Sequence, residues 1–152
     1  MSRITTGYTG HLFEEEVLGL NLAVASRDDY LPYATALEVA RKGQPPLKTP
    51  TRARIERELR SLLGDAVRVR TAVHTVLDYK HVVDGFIDFE GMVVTIDLTM
   101  NPSKDVTKAD FVVCEDDLID IAALAGRIAR EFESRRRRMA ASITATTRRT
   151  QW

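Results

Sequence analysis

The stretch from Asp84 to Thr99 reads Asp-Gly-Phe-Ile-Asp-Phe-Glu-Gly-Met-Val-Val-Thr-Ile-Asp-Leu-Thr, two runs of alternating side chains on either side of Glu90-Gly91. Such runs around a short turn sequence predict a β-hairpin. With a two-residue turn, one face carries only glycine and apolar side chains, and the aspartates fall on the other face. The same register places Asp84 directly opposite Asp97.

A three-residue turn with Gly91 in a bulge would instead place Asp84 opposite Ile96. Because a one-residue slip would mix the two faces, the pattern favours the two-residue turn. Opposed carboxylates on paired strands repel each other. A divalent metal between Asp84 and Asp97 would remove that repulsion, and Mg²⁺ suits a site of few carboxylates. The alternative is that both aspartates face water at a sheet edge.

The length of 152 residues and the composition, 44% apolar and 29% charged, indicate one ordinary globular domain. A chain of this size can form a single hydrophobic core. The single Cys114 excludes an internal disulfide framework and a zinc site built from several cysteines. The start of the chain has no signal-peptide core and no long apolar run. We therefore expect a cytoplasmic protein with no membrane segment.

Charge is segregated along the chain although the formal net charge is zero. Residues 84–120 carry ten acidic residues against two lysines, residues 41–70 carry nine basic residues against three acidic ones, and residues 135–152 carry six arginines and no acid. An acidic centre between basic segments is typical of a metal site beside a phosphate-binding rim. Charge runs are also common on solvated faces, so this observation only supports the metal hypothesis.

Periodicity elsewhere predicts helices first, strands next and a long helix last. The predicted helices cover residues 10–25, 30–42, 50–63 and a stretch from 115 onward, and the predicted strands outside the hairpin cover 66–77 and 109–114. Residues 1–140 are expected to form one domain, and residues 141–152 a basic, flexible tail. This order predicts an α/β or α+β domain with a small mixed sheet.

Three segments resemble the motifs of the PD-(D/E)xK nuclease superfamily, which includes Mrr-type restriction endonucleases and archaeal Holliday-junction resolvases. They are Gly10-His-Leu-Phe-Glu14-Glu-Glu-Val17, Asp84, and Asp97-Leu-Thr99. In that superfamily the first helix supplies an acid, an Asp begins the second core strand, and an acid-x-Lys tripeptide lies on the third. The resemblance covers the first helix and roughly residues 66–114. It implies a restriction-endonuclease-like fold, with the central hairpin flanked by helices.

By position, the resemblance implies that Asp84, Asp97 and the backbone carbonyl of Leu98 bind Mg²⁺ or Mn²⁺, with Glu14 as an accessory carboxylate. The chain departs from the family at Thr99, where the tripeptide would carry lysine. Lys104 and Lys108 follow closely enough to reach back. A second departure is the connection 101–108, which is too short for the helix usual between the third and fourth strands. Asp88 is a rival to Asp84, but the hairpin register favours Asp84.

The function implied by the resemblance is metal-dependent hydrolysis of DNA phosphodiesters by a homodimeric, resolvase-like or restriction-related endonuclease. Eight arginines are candidates for contacts with the DNA backbone: Arg52, Arg54, Arg57, Arg60, Arg135, Arg136, Arg137 and Arg138. Because Thr99 replaces the lysine, one alternative is an inactive nuclease-like subunit that binds DNA or takes part in assembly. Another alternative is an unrelated α+β protein-interaction module.

Overall fold

The computed structural model describes residues 6–104 and 107–150, and the side chains of residues 12–104 and 107–147. It has a mixed α/β fold in which helices pack on both faces of a four-stranded sheet. The elements in chain order are α1 (Thr6–Leu18), α2 (Tyr33–Lys42), α3 (Pro50–Leu63), β1 (Arg68–Thr71), α4 (Val76–His81), β2 (Gly85–Phe89), β3 (Met92–Thr99), β4 (Phe111–Cys114), a 3-10 helix (Glu115–Leu118) and α5 (Ile121–Thr150).

The hairpin has the predicted two-residue turn. Phe89 pairs with Met92 and Gly85 pairs with Ile96, so the three-residue alternative is wrong. Glu90 and Gly91 both have positive φ, 50° and 78°, as expected for the turn type whose twist matches that of the flanking strands. The register brings the ends of β2 and β3 that carry Asp84 and Asp97 to the same end of the hairpin.

The sheet order is β1-β2-β3-β4. Strand β2 pairs antiparallel with β1 and with β3, and β4 pairs parallel with β3, which confirms the predicted mixed sheet. The apolar hairpin face, with Ile87 and Val94, packs against α1, α3 and α5 in the main core. The opposite face, with Phe86, packs against α2 and α4 in a smaller cluster. Asp84 therefore lies where α1 and α4 both approach the hairpin.

The first helix is shorter than predicted, since α1 ends at Leu18 instead of residue 25. Gly19 follows with φ 83°, and its amide bonds to the Glu15 carbonyl at 2.9 Å, which is the left-handed ending that glycine favours. Leu20 and Val24 lie within the predicted helix at the helical spacing of the buried Phe13 and Val17, which predicts their burial, but they are 40% and 59% exposed. The prediction for these two residues was wrong because the helix stops before reaching them.

The strand predicted over residues 66–77 was also too long. Strand β1 covers only Arg68–Thr71, and α4 begins at Val76. Thr75 caps α4 by accepting a hydrogen bond from the Asp78 amide at 3.5 Å, a local interaction that competes with strand extension. The apolar pair after the cap is buried in the smaller core cluster. Asp78 is thereby placed in the first turn of a helix.

Helix α5 continues through Thr150, beyond the expected domain boundary at residue 140. Its side chains are exposed from Arg136 through residue 147. The connection between β3 and β4 contains turns and no helix in its described part, residues 101–104 and 107–108. None of the helices in the described ranges combines the length and apolar character needed to cross a membrane.

Candidate functional site

Three carboxylates from three separate elements meet at one end of the hairpin. Glu14 comes from α1, Asp78 from α4 and Asp84 from the residue before β2, and one oxygen of each lies within 4.8 Å of the other two. Asp84 is buried, whereas Glu14 and Asp78 are half-buried. Hard divalent cations such as Mg²⁺ are bound by carboxylate oxygens of this kind. We call these three residues the carboxylate cluster.

The backbone and side chain of Asp84 are both fixed by the sheet. Its amide donates to the Ile96 carbonyl at 2.8 Å, and its carbonyl accepts from the Ala72 amide at 2.8 Å. Its Oδ2 accepts a hydrogen bond from the Leu98 amide at 2.7 Å. The carboxyl group is thus held in one orientation by two neighbouring segments, as a group that binds a metal would have to be.

Burial, together with the adjacent carboxyl groups of Glu14 and Asp78, raises the pKa of Asp84 to about 12. A buried carboxyl beside two others cannot ionise cheaply, because the charged form loses solvation and meets like charge. At neutral pH Asp84 therefore retains its proton unless a cation compensates the charge. This property fits a site whose three oxygens are to be neutralised by a divalent metal.

Asp78 was not among the candidate site residues, since it directly follows the strand predicted over residues 66–77. The missed signal is Thr75-Val-Leu-Asp78, which has the spacing of a capping box. Here the Asp78 Oδ2 accepts a hydrogen bond from the His74 amide at 2.8 Å, while the Thr75 hydroxyl accepts one from the Asp78 amide. These bonds hold Asp78 in the first turn of α4, facing Asp84.

Asp97 is buried in β3 and has partners of its own. Its Oδ2 accepts from Lys104 Nζ at 2.7 Å and from Thr107 Oγ1 at 2.9 Å. Lys104 is one of the two lysines expected to reach back, whereas Lys108 is exposed. Among the described residues, the group of three carboxylates that lie close enough to hold one metal ion includes Asp84 but not Asp97. A metal ion bridging Asp84 and Asp97 therefore stays a prediction.

The remaining hairpin residues have defined roles in the fold. The Leu98 amide orients Asp84, and the Leu98 carbonyl as a metal ligand stays a prediction. The Thr99 hydroxyl accepts from the Asn101 amide at 3.0 Å and so closes the turn after β3. Asp88, the rival to Asp84, is bonded to the guanidinium groups of Arg41 and Arg70. Burial alone would raise the pKa of Asp88, but these two bonds outweigh it and lower the pKa.

Arg52 does not lie on the exposed basic face predicted for α3. It is 2% exposed, and its guanidinium donates to the Val69 carbonyl at 2.9 Å and to Gln44 at 3.3 Å. Because β1 is an edge strand, its outward-facing carbonyl needs a donor, and Arg52 provides it. Arg52 is therefore not on the exposed face of α3, and its contact with DNA stays a prediction.

The other arginines of α3 differ in exposure. Arg54 and Arg57 are exposed, as predicted. Arg60 is half-buried, donates to the Val67 carbonyl at 3.3 Å and pairs with Glu56 at 3.3 Å. Only part of this face is thus open to a phosphate backbone.

The run of four arginines in α5 is divided in the same way. Arg135 is half-buried and pairs with Asp110 at 2.9 Å and Glu131 at 2.7 Å, which fastens α5 beside β3. Arg136 pairs with Glu90 at 2.8 Å and Arg138 with Glu131 at 3.5 Å, and both are exposed, as is Arg137. Exposed ion pairs of this kind are weak and can exchange for phosphate.

Comparison of this chain with family models, with curated proteins and with solved structures finds no match. What points to a function is the geometry of the chain itself. Its two main elements are the carboxylate cluster and the pairing of Lys104 with Asp97.

Proposed function

We propose that this protein is a metal-dependent endonuclease that hydrolyses DNA phosphodiesters and has a restriction-endonuclease-like fold. The observation that carries the proposal is the meeting of Glu14, from the first helix, with Asp84, at the start of the second strand. These are two positions at which the resemblance to PD-(D/E)xK nucleases implies acids. The third, Asp97, lies on the third strand with a lysine against it.

The carboxylate cluster fits a divalent cation because of its charge as well as its geometry. Three carboxyl groups lie together, one of them buried, and the pKa of Asp84 is raised by that burial and by its neighbours. A bound Mg²⁺ or Mn²⁺ would supply Lewis-acid chemistry to a phosphodiester and its attacking water. Glu14, Asp78 and Asp84 would hold the ion.

Lys104 supports a catalytic rather than a purely structural arrangement. Its ammonium group lies 2.7 Å from Asp97 and provides positive charge near the position where Thr99 cannot. Such a charge can hold a phosphate oxygen and stabilise negative charge that develops during hydrolysis. Thr107, which also bonds to Asp97, keeps that carboxylate oriented.

DNA is the proposed substrate because exposed arginines remain available on two helices. Arg54 and Arg57 lie on α3, and Arg137 lies on α5. Contacts between arginine and phosphate hold the backbone without reading bases, so binding would weaken steeply with salt. The proposal includes a homodimer, since cutting both strands of a duplex needs two sites.

The test is cleavage of plasmid and branched DNA with Mg²⁺ or Mn²⁺, with EDTA as the metal-free reference. We expect Glu14→Gln, Asp78→Asn, Asp84→Asn and Asp97→Asn each to lower the cleavage rate at least about 100-fold, a typical loss for a group that acts in the transition state. Asp65→Asn is the matched control, because Asp65 is exposed on a loop. Absence of cleavage with either metal, together with absence of Mg²⁺ binding in calorimetry, would refute the proposal.

A second candidate function is a nuclease-like subunit that binds DNA without cutting it. Thr99 favours it, because its hydroxyl closes a turn and brings no positive charge to the position where the family has lysine. The two functions differ in their dependence on metal. An inactive subunit would bind DNA equally well in EDTA and in the Asp84→Asn variant, and neither form would cleave.

A further inference from the structure

An aromatic and cationic stack lies next to the carboxylate cluster. Tyr79 follows the cluster residue Asp78 in α4, and its ring stacks on His74 with centroids 5.9 Å apart and planes 24° from parallel. The guanidinium of Arg27 lies over the same ring, 5.1 Å from its centroid. The Tyr79 ring, which is held by stacking on His74, thus orients the exposed Arg27 side chain, since guanidinium groups are attracted to aromatic faces.

The loop that carries Arg27 is anchored to the same backbone segment as Asp78. The Ala25 amide donates to the His74 carbonyl at 2.9 Å. The His74 amide in turn donates to the Asp78 carboxylate at 2.8 Å. His74 therefore joins the loop of Arg27 to Asp78, a residue of the carboxylate cluster. These bonds fix the position of the loop relative to the cluster.

Arg27 also lies in a hydrogen-bonded turn. The Ser26 amide donates to Asp29 Oδ2 at 3.0 Å, the Asp29 amide returns a bond to the Ser26 carbonyl at 3.0 Å, and the Asp28 amide donates to Ser26 Oγ at 3.3 Å. These bonds restrict the backbone on both sides of Arg27, while its side chain is exposed. Little ordering would be needed when such a side chain binds a ligand.

Charges of opposite sign meet at Tyr79. The carboxylate residue Asp78 precedes it in α4, and the Arg27 guanidinium lies over its ring. Asp28 and Asp29 add negative charge in the same turn as Arg27. A positive charge thus lies beside acidic groups at this rim of the cluster.

We propose that Arg27, oriented by Tyr79, binds a backbone phosphate of the DNA strand that lies across the carboxylate cluster. An acidic site repels a polyanionic DNA strand. A guanidinium at the rim of the site offsets this repulsion, because it can donate two hydrogen bonds to a phosphate. Arg27 is then a substrate-binding residue, and it holds the strand beside the cluster. This inference rests on the proposed endonuclease function and adds a specific contact to it.

The test compares Arg27→Gln and Arg27→Lys with the matched control Arg130→Gln, because Arg130 is an exposed arginine on α5. For the DNA that the wild type cleaves, we expect Arg27→Gln to raise both KM in Mg²⁺ and Kd in Ca²⁺ about tenfold, with kcat changed less than about threefold. The slope of log Kd against log salt should fall by about 0.9, the value for one phosphate contact. Arg27→Lys should recover the slope and part of the affinity.

Equal KM, Kd and salt slope in Arg27→Gln and Arg130→Gln, with an active wild type, would overturn this inference and leave the endonuclease proposal intact. A wild type that neither cleaves DNA nor binds Mg²⁺ would overturn both. If Arg27→Gln fails to fold by circular dichroism, Arg27→Lys decides, and an unchanged kcat with a raised Kd supports the contact.

Discussion

Replacing Asp84 by asparagine should stabilise the metal-free protein, and the gain should grow with pH. Asp84 is 4% exposed, and burial beside Glu14 and Asp78 raises its pKa to about 12. The unfolded chain has an ordinary carboxyl with a pKa near 4. Between these two values the folded state binds a proton that the unfolded state has released. Folding stability therefore falls as pH rises through this window.

The expected magnitude follows from that proton. Each pH unit within the window contributes about 1.4 kcal/mol, so between pH 5 and pH 8 the wild type should lose about 4 kcal/mol relative to Asp84→Asn. Asparagine is neutral at every pH, and its side-chain oxygen can still accept the hydrogen bond from the Leu98 amide. For a chain of this length, 1 kcal/mol shifts the melting temperature by about 3 °C.

The assay is urea or thermal unfolding of both proteins at pH 5, 6, 7 and 8 in EDTA, repeated with saturating Mg²⁺. The metal should stabilise the wild type by about 2.7 kcal/mol at 100 times its Kd, more strongly at pH 8 than at pH 5, and should have little effect on Asp84→Asn. Asp65→Asn, an exposed aspartate, should behave as the wild type. A difference between wild type and Asp84→Asn that stays constant within about 1 kcal/mol over this range would refute the reasoning.

Three further predictions concern other charged residues. Lys104→Met should lower kcat about 100-fold or more by removing the charge beside Asp97, and cleavage kinetics as fast as those of the exposed-lysine control Lys42→Met would contradict this role. Glu56→Gln should cost about 3 kcal/mol in urea unfolding, because Glu56 is 3% exposed and pairs with Lys48 and Arg60; a loss below about 1 kcal/mol would show that the pairs are dispensable. The lowered pKa of Asp88 gives stability that is present above its unfolded pKa and lost as pH falls through the lower folded value, so Asp88→Asn should flatten the acid limb of the unfolding curve below about pH 4, and an unchanged limb would argue against these ion pairs.

The hairpin could be predicted from sequence because its signal is local. A period of two fixes which side chains share a face, and a glycine at the turn fixes where the chain reverses. The register observed between Gly85 and Ile96 is the one that separates apolar from acidic side chains. The approach of Glu14 to Asp84 depends on contacts between distant elements, and only the resemblance of the first helix suggested it.

The burial of Arg52 shows how residue type can hide a periodic signal. The buried residues of α3 are Arg52, Ile55, Glu56 and Leu59, which are spaced as one face of a helix. The spacing was visible in the sequence, but two charged members made that face look solvated. These two charged residues are buried because they bond to the outer edge of β1. Arg52 donates a hydrogen bond to the Val69 carbonyl, and Glu56 accepts one from the Val69 amide. No local sequence pattern predicts that an edge strand will lie beside this face of α3.

The two departures from the nuclease pattern have one structural cause. The Thr99 hydroxyl accepts a hydrogen bond from the Asn101 amide, and the Asn101 carbonyl accepts one from the Lys104 amide at 3.2 Å. These bonds turn the chain directly after β3 and bring Lys104 back to Asp97. A helix in this connection would carry the chain away from the hairpin, and a lysine at position 99 could not accept the bond that starts the turn. Threonine at 99 and the short connection thus act together to bring a lysine from a loop to Asp97, and the proposed endonuclease function depends on this charge.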